Sequence, residues 1–247
     1  MLKGYVKGVT TYFNGLGIIA RYNLWGYMLA PALIGLLLAY GIYKIAGGVS
    51  GNIGDWLVSF YPIEWGKAWI ESIADFFGWI FVLAIGLIIF KQLVLAFSSP
   101  FMSFMSETIE KRLSNDYQTP PFSVSKMISD MIRGLRIALR NIVRELFYTL
   151  LLLLLGLIPL FTPFTTVAIF LVQAYYAGFG SIDYTLERRY TVRQSVAFVR
   201  KNRAFALGNG TVFMGLLLTG IGFLFALPLG TAAATEETLK RLRATSM

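Results

Sequence analysis

Cysteine and histidine are both absent from this chain of 247 residues. Without cysteine there is no disulfide, no thiolate nucleophile and no sulfur ligand. Without histidine the chain lacks the commonest metal ligand and the commonest proton shuttle near neutral pH. Charge is scarce as well: Asp, Glu, Lys and Arg make up 14% of the residues, against about 25% in soluble domains. There is no Walker A motif, no Gly-x-Ser-x-Gly elbow, no zinc spacing, and no carboxylate pair inside an apolar run. Gly15-Leu16-Gly17 is too short, and in the wrong context, for a dinucleotide site. These absences exclude an ATP-driven pump and argue against an enzyme. No catalytic residue, cofactor or metal is expected. Met1 to Ala20 has no compact apolar core with a cleavage site, so no signal peptide is expected.

What the chain has is hydrocarbon. Hydrophobic residues make up 56% and the mean hydropathy is +0.65. From Leu146 to Ile182 no charge occurs, far beyond the roughly 20 residues that cross a bilayer once. Pro159 and Pro163 stand in the middle of that run. Proline lacks an N–H and clashes with the preceding turn, so one straight helix through both is not expected. The arms, Leu146–Ile158 and Phe164–Gly180, are short for full spans. The reading is a helical hairpin that enters a membrane, turns at the prolines and returns. The whole chain, 1–247, is expected to be a single all-α integral membrane domain, because backbone polar groups in lipid must be paired within the segment.

Along the chain, Met1–Arg21 reads as an amphipathic interfacial helix with Tyr5, Val9, Tyr12 and Phe13 on one face. Leu24–Ile45 is the first long span, with Asn23 as N-cap and Pro31 as a kink. Gly47–Lys67 reads as a glycine-rich loop with a short helix near Asp55–Phe60. Residues 76–97 form the second long span, where Lys91 can snorkel to the interface. After a break at Ser98-Ser99-Pro100, a helix runs to Leu113, with Ser103 or Ser106 as its cap. A basic helix starts near Ser125 and feeds into the hairpin. Thr191 caps a short helix carrying Val192, Val196 and Val199. Residues 204–235 are again uncharged and turn at Gly220-Ile221-Gly222 as a second hairpin, with one tilted span as the alternative. The tail from Glu236 is charged and helical.

The net charge of +9 reflects basic residues beside apolar segments, so membrane orientation explains it and nucleic acid is not an expected partner. Between the two long spans lie only Lys44 and Lys67. Lys111 to Arg144, Arg188 to Arg203 and Lys240 to Arg243 are the rich segments. By the positive-inside rule the poor loop faces out and both termini face in, which requires each hairpin to return to its own side.

Lys126, Arg133, Arg136, Arg140 and Arg144 follow at spacings of 7, 3, 4 and 4, within roughly a third of a helix circumference. Arginine presents forked donors that match tetrahedral oxyanions, and half-helix N-termini add positive dipole ends. Arg21, with the Asn23-Leu24-Trp25-Gly26 stretch after it, and Arg133, Arg136 and Arg140 are the candidate anion-binding residues. The same arginines also suit anchoring to anionic lipid headgroups, at ~1 kcal/mol each.

Three stretches carry a family resemblance. They are Ser99-Pro100-Phe101 through Glu107, Glu110 and Leu113; Leu157-Ile158-Pro159 with Phe164; and Ile182-Asp183-Tyr184 with Arg193 and Arg200-Lys201-Asn202-Arg203. Pro31 with Ala32-Leu33-Ile34 fits as well. In this order the chain resembles the CysZ-type sulfate permeases, within the wider etoposide-induced-protein superfamily. The resemblance implies sulfate uptake across a bacterial inner membrane, feeding cysteine synthesis. It also implies two long transmembrane helices, hemi-penetrating hairpins and a homo-oligomer. In that family a Gly-Leu-Arg-Arg-like stretch before the first-span proline is associated with sulfate. Asn23-Leu24-Trp25-Gly26 stands there in this chain, without arginine, and Arg21 is the nearest substitute. The competing reading is a non-transporting membrane scaffold or lipid-interacting protein of the same superfamily. A membrane enzyme acting on lipid has no residue set behind it.

Overall fold

The computed structural model of the chain describes residues 1–59, 85–114 and 123–246. Among the described residues every regular element is a helix. They are α1 Leu2–Tyr22, α2 Gly26–Ser59, α3 Ile85–Phe97, α4 Ser99–Leu113, α5 Val124–Gly156, α6 Thr162–Leu186, α7 Val192–Lys201, α8 Arg203–Leu218 and α9 Phe223–Ser246.

Helix α8 is the element the others pack around; α6, α1 and α9 all lie against it. Small residues at intervals of four let the backbones touch. Against α6, Gly178 faces Ala206 and Gly210 faces Ala174, an antiparallel pairing. A Cβ added to Gly210 would fall 1.6 Å from the Ala174 carbonyl oxygen, and one on Gly178 1.9 Å from that of Ala206. On its other side α8 meets α1 in the same way. Gly4 lies against Ala204, Gly8 against the Phe205 carbonyl and Gly208 against the Tyr5 carbonyl. Gly15 then brings α1 onto the Leu229 carbonyl of α9, and the Tyr12 hydroxyl donates to the Ala226 carbonyl. Helices approach this closely only where glycine and alanine remove the side-chain layer.

The reversals have local causes. Gly156 ends α5, and the Thr162 hydroxyl donates to its carbonyl at 2.8 Å across the turn Leu157–Phe161. Pro163 lies in the first turn of α6, where its missing N–H would be unpartnered anyway. Between α8 and α9 the chain turns at Gly220, whose φ of 77° favours glycine, and the Gly222 N–H donates to the Thr219 hydroxyl at 2.9 Å. Ser123 caps α5, and Thr191 with Gln194 forms a capping box on α7.

By length and composition α6, with 25 residues, would cross a bilayer. It runs six residues beyond Gly180, the expected end of that arm, to Leu186, so this arm is not short. Helices α3 and α4 would qualify together as a broken span, bent by 57°. In contrast α8 has 16 residues, about 24 Å at ~1.5 Å each, short of a ~30 Å hydrocarbon layer.

Several local expectations change. Gly47–Lys67 is helical as far as Ser59, and residues 60–67 lie outside the described residues. Glycine weakens a helix by ~1 kcal/mol per residue but keeps its N–H, so without proline the ladder continues. Of the span expected over 76–97, residues 76–84 also lie outside the described residues, and the remainder is α3. Asn23 is not an N-cap. It ends α1 in the left-handed region at φ 54°, and the Leu24 N–H returns to the Ile19 carbonyl at 2.9 Å, a Schellman-type closure that asparagine tolerates. Ser103 and Ser106 do not cap α4, which begins at Ser99; both are buried inside it. In α1 the packed face is Gly8, Thr11, Tyr12, Gly15 and Ile19, while Phe13 is exposed. Glycine together with Tyr12 and Ile19, and not Phe13, marks the side of α1 that faces its neighbours.

Two glycines of α8 give a direct test of this packing. Gly210→Ala is expected to cost about 3 kcal/mol or more by overpacking. Gly215→Ala, where an added Cβ meets nothing within 4 Å, is expected to stabilise by up to ~1 kcal/mol through helix propensity. Thermal unfolding of the detergent-solubilised variants reads both; similar midpoints would refute the close-contact account.

Candidate functional site

A charged pair lies in the middle of the bundle. Lys91 of α3 donates from Nζ to Glu145 Oε1 of α5 and, at 3.0 Å, to the Gln173 carbonyl of α6. Gln92 donates from Nε2 to Glu145 Oε2 at 2.6 Å. The Lys91 and Glu145 side chains are both 0% exposed. Lys91 therefore does not snorkel, and a carboxylate does lie buried among the apolar segments. Desolvating two charges costs several kcal/mol per ion unless each is matched, and here each has a charged and a neutral partner.

The pair belongs to a longer polar line. Asn141, Glu145 and Thr149 recur every fourth residue on one face of α5 and are all buried. Buried Gln173 and Thr165 stand on α6. Asn141 Nδ2, Thr149 Oγ1 and Gln173 Oε1 have no hydrogen-bond partner among the described residues. Around them the hairpin surface is apolar: Leu150, Leu151, Leu154, Phe164 and Val167 are exposed.

A second polar cluster joins the first half of α5 to α4 and the end of α6. Arg133 donates to both Asp183 oxygens, at 2.5 and 3.1 Å, and to Ser195 Oγ at 2.9 Å. Glu187 lies 3.6 Å from it. Arg188 donates to Glu110 at 3.0 Å and Ser106 at 3.1 Å, Arg189 also pairs with Glu110, and Lys126 pairs with Glu107 at 2.5 Å. Burial pushes the Glu187 carboxyl well above the usual carboxylate range, and Asp130 and Asp183 push it the same way. Burial raises Asp130 too, against the pull of Lys126. The arginines of this cluster are engaged by carboxylates.

The structure thus divides the arginine stripe. Arg133 is bound in internal ion pairs. Arg136 and Arg144 are exposed. Arg140 is half-buried, donates to Asn141 Oδ1 at 2.8 Å and lies 5.5 Å from the centre of the Phe179 ring. Helical periodicity identifies the stripe, but not which neighbour carries the acids. The N-terminal candidates sit elsewhere, since α1 packs on α8 and α9 whereas α5 packs on α6 and α4. Arg21 is exposed in the last turn of α1, Asn23 forms the left-handed turn and Leu24 is buried in the core. Trp25 is exposed and Gly26 opens α2. Beside them an open cavity of about 630 Å³ is lined by Asn23, Gly26, Tyr27, Leu29, Leu33 and Phe101. Its walls are almost wholly hydrocarbon and offer an oxyanion little. The contacts of Lys91 with Glu145 and Gln173 join residues 54 and 82 positions apart, so no local pattern in the sequence reveals them.

The balance of the buried pair is testable. Lys91→Met alone leaves Glu145 buried without its cation and is expected to cost ~3–5 kcal/mol. Lys91→Met with Glu145→Gln is expected to recover most of that loss. Thermal midpoints in detergent check this, and a double variant no better than the single one would contradict it.

Residues 11–228 match the family model described as Sulfate transporter CysZ/Etoposide-induced protein 2.4. Curated relatives include the sulfate transporter CysZ of two strains of Pseudomonas aeruginosa, each 26% identical over 227 residues and covering 90% of both chains. The sulfate transporter CysZ of Pseudomonas paraeruginosa is 25% identical over 233 residues, with the same coverage. The family is one of transporters, not enzymes. Through the match over most of its length, the chain belongs to the CysZ/etoposide-induced protein 2.4 family.

Proposed function

We propose that the chain is a multi-pass protein of a bacterial inner membrane that lets sulfate or a related oxyanion through the bilayer, supplying it for cysteine synthesis. The observation that carries this reading is the buried polar line of α5 and α6 inside an apolar exterior. In water, exposed Leu150, Leu151, Leu154 and Phe164 would form a large apolar patch. In lipid the same face is matched, and the polar groups behind it form the hydrophilic interior that permeation requires. Asn141 Nδ2 and Thr149 Oγ1, both without a hydrogen-bond partner among the described residues, are donors that a dehydrating oxyanion needs. The Lys91–Glu145 pair places ionised groups along the same line. Polar and charged groups at such depth are costly and mark ion pathways by default.

In this reading α2 and the segment ending in α3 are the two long spans. The α5–α6 and α8–α9 pairs are hairpins that turn within the layer, both termini face the cytoplasm, and copies associate to seal a path that the short α8 cannot seal alone. Arg140, next to Asn141, is the best placed of the expected anion contacts. Arg136 and Arg21 remain exposed candidates at the surface, near anionic headgroups.

Uptake of radiolabelled sulfate into liposomes reconstituted with the protein tests the reading. Saturable uptake above empty liposomes is expected, reduced at least ~10-fold in the Lys91→Met/Glu145→Gln variant, an effect of more than about 1.4 kcal/mol on the barrier. Flux no greater than in empty liposomes, from folded protein, would contradict it and favour the lipid-interacting scaffold.

A further inference from the structure

We propose that Arg140, Arg144, Arg200 and Arg203 form one binding site for a tetrahedral oxyanion beside Tyr175, at the outer end of the buried polar line. The inference rests on the transport reading for its purpose but not for its geometry. Arg140 and Arg144 are one turn apart on α5. Arg200 closes α7 and Arg203 opens α8, with Asn202 between them. Tyr175 of α6 packs on the apolar cluster that contains Phe179, Val199, Phe205 and Ala206, which brings α5, α7 and α8 to one place. All four guanidinium groups act electrostatically on Tyr175.

None of these arginines has a carboxylate in ion-pair contact among the described residues, and Asp183 acts on Arg140 only from a distance. Arg133, Arg188, Arg189 and Arg241 each pair with a carboxylate. None of the four around Tyr175 forms an ion pair with a described residue. Among the described residues Arg140 donates to the neutral oxygen of Asn141, and Arg203 to the Met1 sulfur, at 3.9 Å. Arg144 acts on Arg140 as a like charge. Clustered cations without acids repel one another, and an anion between them reverses the sign. The surroundings favour binding further. Arg140 is held against the Phe179 ring, so little freedom remains to be lost. Asn202 is engaged elsewhere, donating to the Phe198 carbonyl and accepting from Arg241.

The site also leads somewhere. Arg140 touches Asn141, the first member of the polar line, and Tyr175 lies two residues from Gln173, whose carbonyl holds Lys91. An oxyanion captured here stands at the entry to that line. The phosphate of an anionic lipid headgroup has the same tetrahedral shape and charge and fits the same donors.

The test uses full-length protein in nanodiscs of pure phosphatidylcholine, without anionic lipid. Equilibrium binding of radiolabelled sulfate is compared for wild type, Arg144→Gln/Arg200→Gln, Arg203→Gln and, as a control away from the cluster, Arg193→Gln. All four positions are exposed, so folding is not at stake, and thermal midpoints confirm it. The double variant is expected to weaken sulfate binding at least ~10-fold, with Arg203→Gln intermediate and Arg193→Gln unchanged. A second arm measures phosphatidylglycerol retained on purification by native mass spectrometry. Loss of retained lipid in the double variant, with sulfate binding unchanged, assigns the site to the headgroup. Unchanged sulfate binding and unchanged lipid retention overturn the proposal. If the double variant still carries wild-type sulfate flux as well, the site fails while the transport reading stands. Loss of binding in a protein that shows no flux leaves the site and removes the transport reading.

Discussion

The fold depends on backbones touching at α8. Gly208 and Gly210 lie two residues apart on this helix, and each lies against a carbonyl of a different neighbour, Tyr5 of α1 and Ala174 of α6. In the proposed membrane setting there is little hydrophobic gain in bringing helices together, so close van der Waals contact between small residues supplies the attraction. That contact fixes α1, α6 and α9 around α8, and α6 in turn carries α5. The positions of Gln173, Tyr175, Phe179 and Asp183 relative to α5 follow from it. A side chain at Gly178 or Gly210 would displace α6 from α8 and disturb every polar contact that α6 makes.

Around α5 the polar and apolar residues are distributed inside out. Lys91, Gln92, Glu145, Asn141 and Thr149 are buried, and much of the leucine of α5 is outside. The charges then sort into two groups. Most arginines near α4 and the end of α6 are bound by Asp183, Glu187 and Glu110 and act as structural ties. The arginines around Tyr175 form no ion pair with a described residue. In the proposed site positive charge gathers around Tyr175, beside the polar line, where a low-dielectric wall would focus the field on an approaching anion.

Much of this architecture was legible in the sequence where the cause is local. The capping box at Thr191 and Gln194, the break before Pro100 and the left-handed Gly220 each depend on a few adjacent residues. What stayed hidden depends on residues far apart in the chain. Lys91 and Glu145 are separated by α4 and the first half of α5, and neither residue alone indicates the other. The arginine stripe was visible as a periodicity, yet only the end of α6 determines that Arg133 is neutralised and Arg140 is not. Glycines spaced by four along α1 and α8 look like weak helix positions until a partner backbone is set against them. The glycine-rich stretch after Ile45 shows the opposite error, because glycine alone does not end a helix.

The central claim is that the line from Asn141 to Thr149 is a hydrophilic path inside a lipid-facing bundle. Because the natural chain has no cysteine, single introduced thiols test it directly. Thr149→Cys and Leu151→Cys, two residues apart on α5, would be exposed to a charged, water-soluble thiol reagent in proteoliposomes, with and without sulfate. The account predicts that Thr149→Cys is modified and that sulfate slows the reaction, while Leu151→Cys, facing hydrocarbon, stays unmodified. Equal modification of both, or of neither, would contradict it.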